Sequence, residues 1–407
     1  MKVLFTFNGL PHYYNFVLNK LNKINNLEIA VVIPNSDATG LGKGVHQTES
    51  DIKFKVYKLP TYKTYYKKFF FNGIKTVIED FKPDAIVMVW PHNLALLFYP
   101  LFYLFLKRQK IKLIYKDIPF LLPKFKEGIT GKNLIMLNED LTPFKMTLKK
   151  RLYFFTFSII RYLYYKLFDA HVNYVEDAYS ILTTYGVKKE KIFITYNSPD
   201  TERLEIAKEN ALNLQNILPH SNYRVIHVGR LVKWKKVDLL INAINVLKEK
   251  YQEIELIIIG SGPEEYNLKK LTESLRLTDN IKFVGAVYEP EILGRYLMES
   301  TVYVIAGMGG LSINEAMVFE KPIICSICDG TEKKLLKNGF NGYFFENDNL
   351  DDLIRKIDMV LSDKEEAELM GKNSFNIIKN EININTVLLG YINAFNYISK
   401  NKFNLTL

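Results

Sequence analysis

The stretch Thr301–Glu332, TVYVIAGMGGLSINEAMVFEKPIICSICDGTE, decides how the rest of the chain is read. An apolar, β-branched run over Thr301–Ala306 stops at Gly307, Gly309 and Gly310. A helical pattern follows over Leu311–Phe319, then a second buried-strand run over Pro322–Ile327. Strand, glycine turn, helix and strand in so few residues make a βαβ unit of a parallel sheet. The turn at the top of such a unit is where these sheets bind ligands. Gly309 and Gly310 let the backbone come close to a ligand. The helix start near Leu311–Ser312 offers unpaired N–H groups and partial positive charge to an anion. Glu315, one turn in, is placed to accept from a ligand hydroxyl. The same residues admit a reading with no ligand at all, because Ser312-x-x-Glu315 is also a capping box.

Upstream, Arg224–Gly229 opens an alternating strand–helix series. Arg230 stands at the end of that strand and Lys235 lies five residues on, before a helix over Val237–Lys250. Two cations on the loop after a first strand can reach a pyrophosphate; Lys233 and Lys236 read as solvated. Ile254–Ile259 runs into Gly260-Ser261-Gly262-Pro263, Ile281–Val284 into Gly285, and a helix covers Pro290–Met298. The strands thus deliver Gly229, Gly260, Gly262, Gly285 and Gly307 to one edge of the sheet, which favours the ligand reading of Gly309–Glu315.

The first half repeats the theme less legibly. Apolar runs at Lys2–Phe7, Glu28–Ile33, Asp84–Trp90, Lys112–Tyr115, His171–Val175 and Ile192–Tyr196 alternate with helical segments, as in a doubly wound α/β domain. Asn8-Gly9-Leu10-Pro11 is a turn at the first strand's end, and Ser36–Ser50 reads as a mobile loop. His12 and His92 follow strand ends where a ligand between two domains would be reached; each is an acceptor-site candidate or a hydrogen-bonded structural residue. Lys116-Asp117 closes another strand and is expected to point the same way. Three segments are unusually greasy or basic: Tyr57–Phe71 with Lys67 and Lys68, Leu94–Leu106, and Leu152–Phe168 with Lys149, Lys150 and Arg151 before it and Arg161 within it. Leu94–Leu106 is too short as a helix to span ~30 Å of hydrocarbon, and both apolar segments suit a helix lying in a membrane interface or packed on the sheet.

At 407 residues two domains are expected, and 48% hydrophobic with 24% charged content excludes a disordered chain. Of the +10 net charge, residues 1–200 carry 29 Lys/Arg against 16 Asp/Glu, so the first half faces something acidic. No nucleic-acid motif accompanies that charge, which leaves an anionic membrane surface. Two cysteines exclude a disulfide framework. Cys325-x-x-Cys328 has no second pair or histidines, so it reads as buried strand and not as zinc. MKVLFTFNGL lacks the apolar stretch of a signal peptide, and a cytosolic location is expected.

The segments VGRLVKWKKVDLLINAI (228–244), LIIIGSGPE (256–264), NIKFVGAV (280–287), GLSINEAM (310–317), KPIIC (321–325) and KNGFNGYFF (337–345) resemble, in order and spacing, the retaining enzymes of glycosyltransferase family 4. The resemblance implies a GT-B fold, two Rossmann-like doubly wound domains facing a central cleft. Residues 1–205 would be the acceptor-binding, membrane-facing domain, 206–380 the nucleotide-sugar domain, and 381–407 a helix returning to the first. Arg230 and Lys235 match the pair that binds the donor diphosphate; Gly310, Leu311 and Ser312 match the helix start that meets the phosphates. Glu315 matches the carboxylate that holds the ribose, and Val287 lies where the base is met. Gly9, Gly229, Gly260, Gly262, Gly307 and Gly309 complete the expected donor site, and Glu332 lies near a family glutamate.

Two departures stand out. The family carries a glutamate where this chain has Gly307, and its strand-end histidine is replaced in the region of Lys116-Asp117. The implied activity is retaining, metal-independent transfer from a UDP-, GDP- or dTDP-sugar to a lipid-linked or other saccharide acceptor, with no cofactor. Surface polysaccharide, lipopolysaccharide or capsule synthesis at the inner face of the plasma membrane would be the setting. Arg230, Lys235 and Glu315 would carry the chemistry, with His12 and Asp117 as further candidates. The competing reading is an inactive GT-B protein that binds nucleotide or glycan as an assembly partner.

Overall fold

The computed structural model describes residues 1–35, 51–63, 69–117, 122–132, 146–328, 330–399 and 402–404. The loop reading of Ser36–Ser50 and the membrane reading of Lys67 and Lys68 fall outside the described residues, as does the side chain of His12.

The chain forms two compact units, one reaching Tyr196 and including the C-terminal segment from Asn385, the other covering Asn197–Ile384. The first is built on strands β1 (Lys2–Thr6), β2 (Glu28–Pro34), β3 (Lys55–Leu59), β6 (Ala85–Met88), β7 (Lys112–Asp117), β8 (Ala170–Asn173) and β9 (Ile192–Ile194). They pair in parallel in the order β3-β2-β1-β6-β7-β8-β9. A short antiparallel hairpin, β4 (Thr61–Lys63) and β5 (Phe69–Phe71), stands apart. The second unit's strands are β10 (Arg224–Val228), β11 (Glu255–Ile259), β12 (Ile281–Gly285), β13 (Val302–Ile305), β14 (Ile323–Cys325) and β15 (Gly342–Phe344). These are also parallel, in the order β12-β11-β10-β13-β14-β15. Parallel strands joined by helices are covered on both faces, so Val225–Val228 and Val302–Ile305 are buried throughout, and only His227 and Tyr303 within them carry polar groups.

Several expectations are corrected. In its described residues Tyr57–Phe71 holds the end of edge strand β3 and the hairpin, with Phe70 and Phe71 buried and Tyr62 exposed. Leu94–Leu106 is not one helix. It breaks at Tyr99, and Pro100 starts a new helix, Pro100–Arg108, where its missing N–H costs nothing. The basic-aromatic helix runs over Leu148–Tyr164, opened by Thr147, whose hydroxyl accepts from the Lys150 amide at 3.3 Å.

Arg161 does not face outward with it. Its guanidinium turns among Tyr115, Tyr164, Tyr165 and Tyr185, and among the described residues its buried Nη1 has no hydrogen-bond partner. The inner face of the helix thus sets Ser158 and Arg161 beside buried Phe154 and Tyr164, while apolar residues also line its outer face. Leu148, Leu152, Phe155, Ile159 and Leu163 form an exposed stripe, Leu148 at 84% and Leu152 at 64% exposure.

Helix Thr201–Leu212 falls in the second unit, where it packs on helix Pro290–Met298, so the division precedes residue 205. Helix Ile384–Ile398 lies against the first unit: Gly390 abuts Thr195, and Tyr391 meets Phe5 at 6.0 Å between ring centres.

Candidate functional site

In the second unit the strand order reverses between β10 and β13, and open parallel sheets take ligands outside the carboxyl ends at such a reversal. The two loops that leave there are Gly229–Lys236 and Ala306–Leu311, and they are locked together. The Met308 amide donates to the Trp234 carbonyl at 2.9 Å. The buried Lys235 ammonium donates to the carbonyls of Met308 and Gly309, both at 2.7 Å. A Cβ on Gly307 would run into the Trp234 carbonyl and lie 2.7 Å from the Lys235 carbonyl carbon. Gly309 is closed from behind by Glu332: a Cβ there would sit 2.7 Å from Oε1 of that fully buried carboxylate, whose Oε2 accepts from the Gly330 amide at 3.0 Å. Gly310 places its Cα hydrogens toward Lys235 Nζ, 3.4 Å from where a Cβ would stand.

Gly260 and Gly262 answer a different need from the one expected. Side chains there would collide with the carbonyls of Gly229 and Leu231, so these glycines serve close packing between neighbouring loops. Val287 is half-buried two residues beyond β12, the strand at the sheet's edge.

The capping-box reading of Ser312 fails. The helix is Ser312–Val318, preceded by Leu311 in helical conformation with no side-chain cap. The Ser312 hydroxyl instead bonds the Tyr303 phenol at 2.8 Å. Tyr303 is fully buried on β13 and also donates weakly to the Val228 carbonyl. Glu315 is half-buried, and burial pushes its carboxyl from 4.5 to about 7. Among the described residues that carboxylate has no hydrogen-bond or ion-pair partner. Arg230 is half-buried, its guanidinium 5.7 Å from the centre of the Trp234 ring.

Sequence reading missed two supports. His227, buried on β10, has Nδ1 3.1 Å from the Val304 carbonyl, and burial followed by the Lys235 charge pulls it down to about 4. A neutral imidazole bridging β10 to β13 at the reversal braces both loops. Tyr303 is the other; a polar residue inside each otherwise apolar strand was the available signal.

The first unit reverses between β1 and β6, and the Asn8 side-chain amide donates to the Trp90 carbonyl across that point at 3.2 Å. Gly9 is buried beside it, and His12 begins helix His12–Asn22. His92 is 2% exposed and stacks on Phe71 at 4.2 Å. Lys116 does not point toward a ligand. It is buried, donates to the Tyr174 hydroxyl at 2.5 Å, lies 3.7 Å above that ring, and is pulled by burial down to about 7. Asp117 is half-buried against the Tyr115 hydroxyl. Cys325 and Cys328 are buried free thiols. Among the described residues no three His, Cys, Asp or Glu side chains gather as a metal site.

Two parallel doubly wound units, the second with a cation-latched glycine tip at its reversal, define an α/β protein of the GT-B class. Residues 211–376 match the family described as Glycosyl transferases group 1, and the chain carries a domain of that family. An uncharacterized glycosyltransferase of Haemophilus influenzae is 30% identical over 166 residues, 40% of this chain and 46% of that protein. The poly(ribitol-phosphate) alpha-N-acetylglucosaminyltransferase of Staphylococcus aureus is 26% identical over 251 residues, 56% of this chain and 50% of that protein. The chain thus spans about half the length of these curated relatives. The structure of Anabaena HepE in complex with UDP superposes with a TM-score of 0.62 at 17% identity, covering 96% of this chain and 98% of that one.

Proposed function

We propose that this protein is a glycosyltransferase that moves a sugar from a nucleotide-sugar, UDP-linked in the first instance, to a saccharide acceptor in the synthesis of a surface polysaccharide. The observation that carries the reading is Glu315: a carboxylate held half-buried, with no hydrogen-bond or ion-pair partner among the described residues, in the first turn of a helix beside a cation-latched tip. A ribose offers it two hydroxyl donors. Departure of a nucleoside diphosphate from an oxocarbenium-like centre needs its developing charge stabilised, and Arg230, the Lys235 charge and the amides at Leu311–Ser312 would supply that. Retention, with the departing phosphate taking the acceptor's proton, fits a site in which no side chain is obliged to act as base. The test is nucleotide release from a panel of UDP-, GDP- and dTDP-sugars. Release with none of them while UDP still binds would favour the inactive assembly partner, the reading that the missing side chain at Gly307 supports.

Arg230 and Lys235 are expected to separate. Arg230→Ala weakens UDP binding about 10- to 100-fold and lowers the melting temperature less than Lys235→Ala does, the half-buried Arg230 guanidinium lying over the Trp234 ring. Lys235→Ala weakens binding and also lowers the melting temperature by several degrees, since two buried carbonyls lose a charged donor worth roughly 1.5–3 kcal/mol each. Calorimetric titration with UDP beside a thermal melt reads both; equal melts for the two variants would remove the latch from Lys235.

We further infer that the acceptor is lipid-linked and that the first unit rests on an anionic membrane face, the inner face of the plasma membrane. Among the described residues no helix is long and apolar enough to cross a membrane. The support is helix Leu148–Tyr164, whose exposed apolar stripe begins beside Lys149, Lys150 and Arg151. Three cations in a first turn oppose the helix dipole, a cost that an anionic surface offsets. Arg151 is partly engaged, donating to the Thr130 carbonyl at 2.7 Å. Replacing all three by Ser is expected to lower binding to phosphatidylglycerol vesicles by roughly 2–3 kcal/mol at low salt, at about 1 kcal/mol per cation. Sedimentation with vesicles measures it, and an unchanged bound fraction assigns these residues elsewhere.

A further inference from the structure

A cavity in the first unit is used by nothing described so far. It has a volume of about 430 Å³ and lies between the β4–β5 hairpin, the start of helix Ile74–Phe81 and helix Pro100–Arg108. Phe70, Phe71, Ile74, Ala95 and Phe102 form its walls. Buried Met88 and His92 mark its inner end, while exposed Tyr62 and Leu101 mark its mouth. Lys75 is the one charged side chain among the described lining residues. An apolar interior with a cation and phenol hydroxyls at the rim fits an amphiphile with an anionic head, and the volume lies in the range of ligand pockets.

Two features say which amphiphile. The outer face of helix Pro100–Arg108 is apolar: Leu101 is 75% exposed and Leu104 and the preceding Phe98 about half, with Lys107 and Arg108 at the helix end. A helix apolar on its outside and cationic at its end is made to lie in a lipid interface, so the mouth opens where hydrocarbon chains are at hand. Met88 is the last residue of β6, and His92 sits on the loop that follows, beside the β1–β6 reversal. The inner end of the cavity therefore adjoins the sheet edge where a ligand of this unit is expected, and a chain seated here keeps its head at the rim, with its tail toward that edge.

We propose that the cavity takes one hydrocarbon chain of the phosphate-bearing lipid that carries the acceptor, with Lys75 at the rim against the phosphate. This rests on the lipid-linked acceptor of the proposed function. The probe is dodecyl phosphate, titrated calorimetrically into the full chain, with dodecanol and inorganic phosphate as its two halves. Wild type binds it; Ala95→Trp and Ile74→Trp, which fill the cavity from opposite walls, each bind at least about tenfold more weakly. Lys75→Ala loses affinity for dodecyl phosphate and keeps that for dodecanol. Melting temperature and UDP binding, read in the same samples, stay at wild-type values and establish that the variants fold. Equal binding by wild type and both Trp variants overturns the proposal. So does dodecyl phosphate that binds yet leaves sugar transfer to a membrane lipid extract unchanged, because the cavity then holds bulk lipid. A wild type that fails to bind UDP strikes the proposed function instead, and leaves the cavity result standing by itself.

Discussion

A glutamate placed at position 307 is expected to destroy donor binding, with UDP affinity falling about a hundredfold and the protein melting several degrees earlier. Resemblance alone argues the reverse, since the family carries a glutamate there and Gly307→Glu would restore it. Geometry decides against that. The first side-chain carbon would meet the Trp234 carbonyl oxygen and stand 2.7 Å from the Lys235 carbonyl carbon. Both obstacles are backbone, so no rotamer change relieves them, and overpacking of this kind costs about 1–3 kcal/mol. The loop must back away, breaking the Met308–Trp234 hydrogen bond and the two bonds from Lys235. Those three bonds shape the tip on which the proposed donor's diphosphate would rest. UDP titration and a thermal melt of the variant check the claim; wild-type values in both would mean that the loop does not hold Gly307. A glutamate side chain at this position has no room in this conformation.

The same position shows what sequence could and could not disclose. Runs rich in β-branched residues such as Val302–Ile305 announce strands buried on both faces, and the glycines ending them mark the loops. Why Gly307 must be glycine depends on Trp234, some seventy residues earlier, and no local pattern carries that. Edge strand β3, KVYKL, was lost for a related reason: Lys55 and Lys58, three apart, are exposed on opposite faces among half-buried Val56, Tyr57 and Leu59, so no clean alternation marks it. Helix Leu148–Tyr164 is the clearest case. Helical periodicity reveals an apolar stripe but not which way it faces. Here the inner face holds Phe154, Ser158, Arg161 and Tyr164, with Tyr115, Tyr165 and Tyr185 around the guanidinium, and the stripe of Leu148, Leu152, Phe155, Ile159 and Leu163 is turned out. Arg161, read from sequence as a membrane anchor, lies on the inner face instead.

Glu315→Gln is expected to make the ligand-free protein more stable at pH 8 while weakening UDP binding by about 10- to 100-fold. Burial raises the Glu315 carboxyl from 4.5 in the unfolded chain to about 7 in the folded one. Between those values the folded state holds more protons than the unfolded state, so stability falls as pH rises through the window and levels off above it. At 1.36 kcal/mol per pKa unit the accumulated loss is on the order of 3 kcal/mol. A neutral amide escapes it, so the variant and the wild type melt together near pH 4.5 and part as the pH approaches 7, the variant the more stable. Donor binding runs the other way. Ribose hydroxyls need a carboxylate to accept from them, so wild-type UDP affinity tightens through pH 7, and the Gln variant loses both the affinity and this dependence. Thermal melts and UDP titrations across that range supply the two curves. A variant no more stable than wild type at pH 8, or one that binds UDP equally well, would show that Glu315 is not a carboxylate kept in a costly place for a ligand to use.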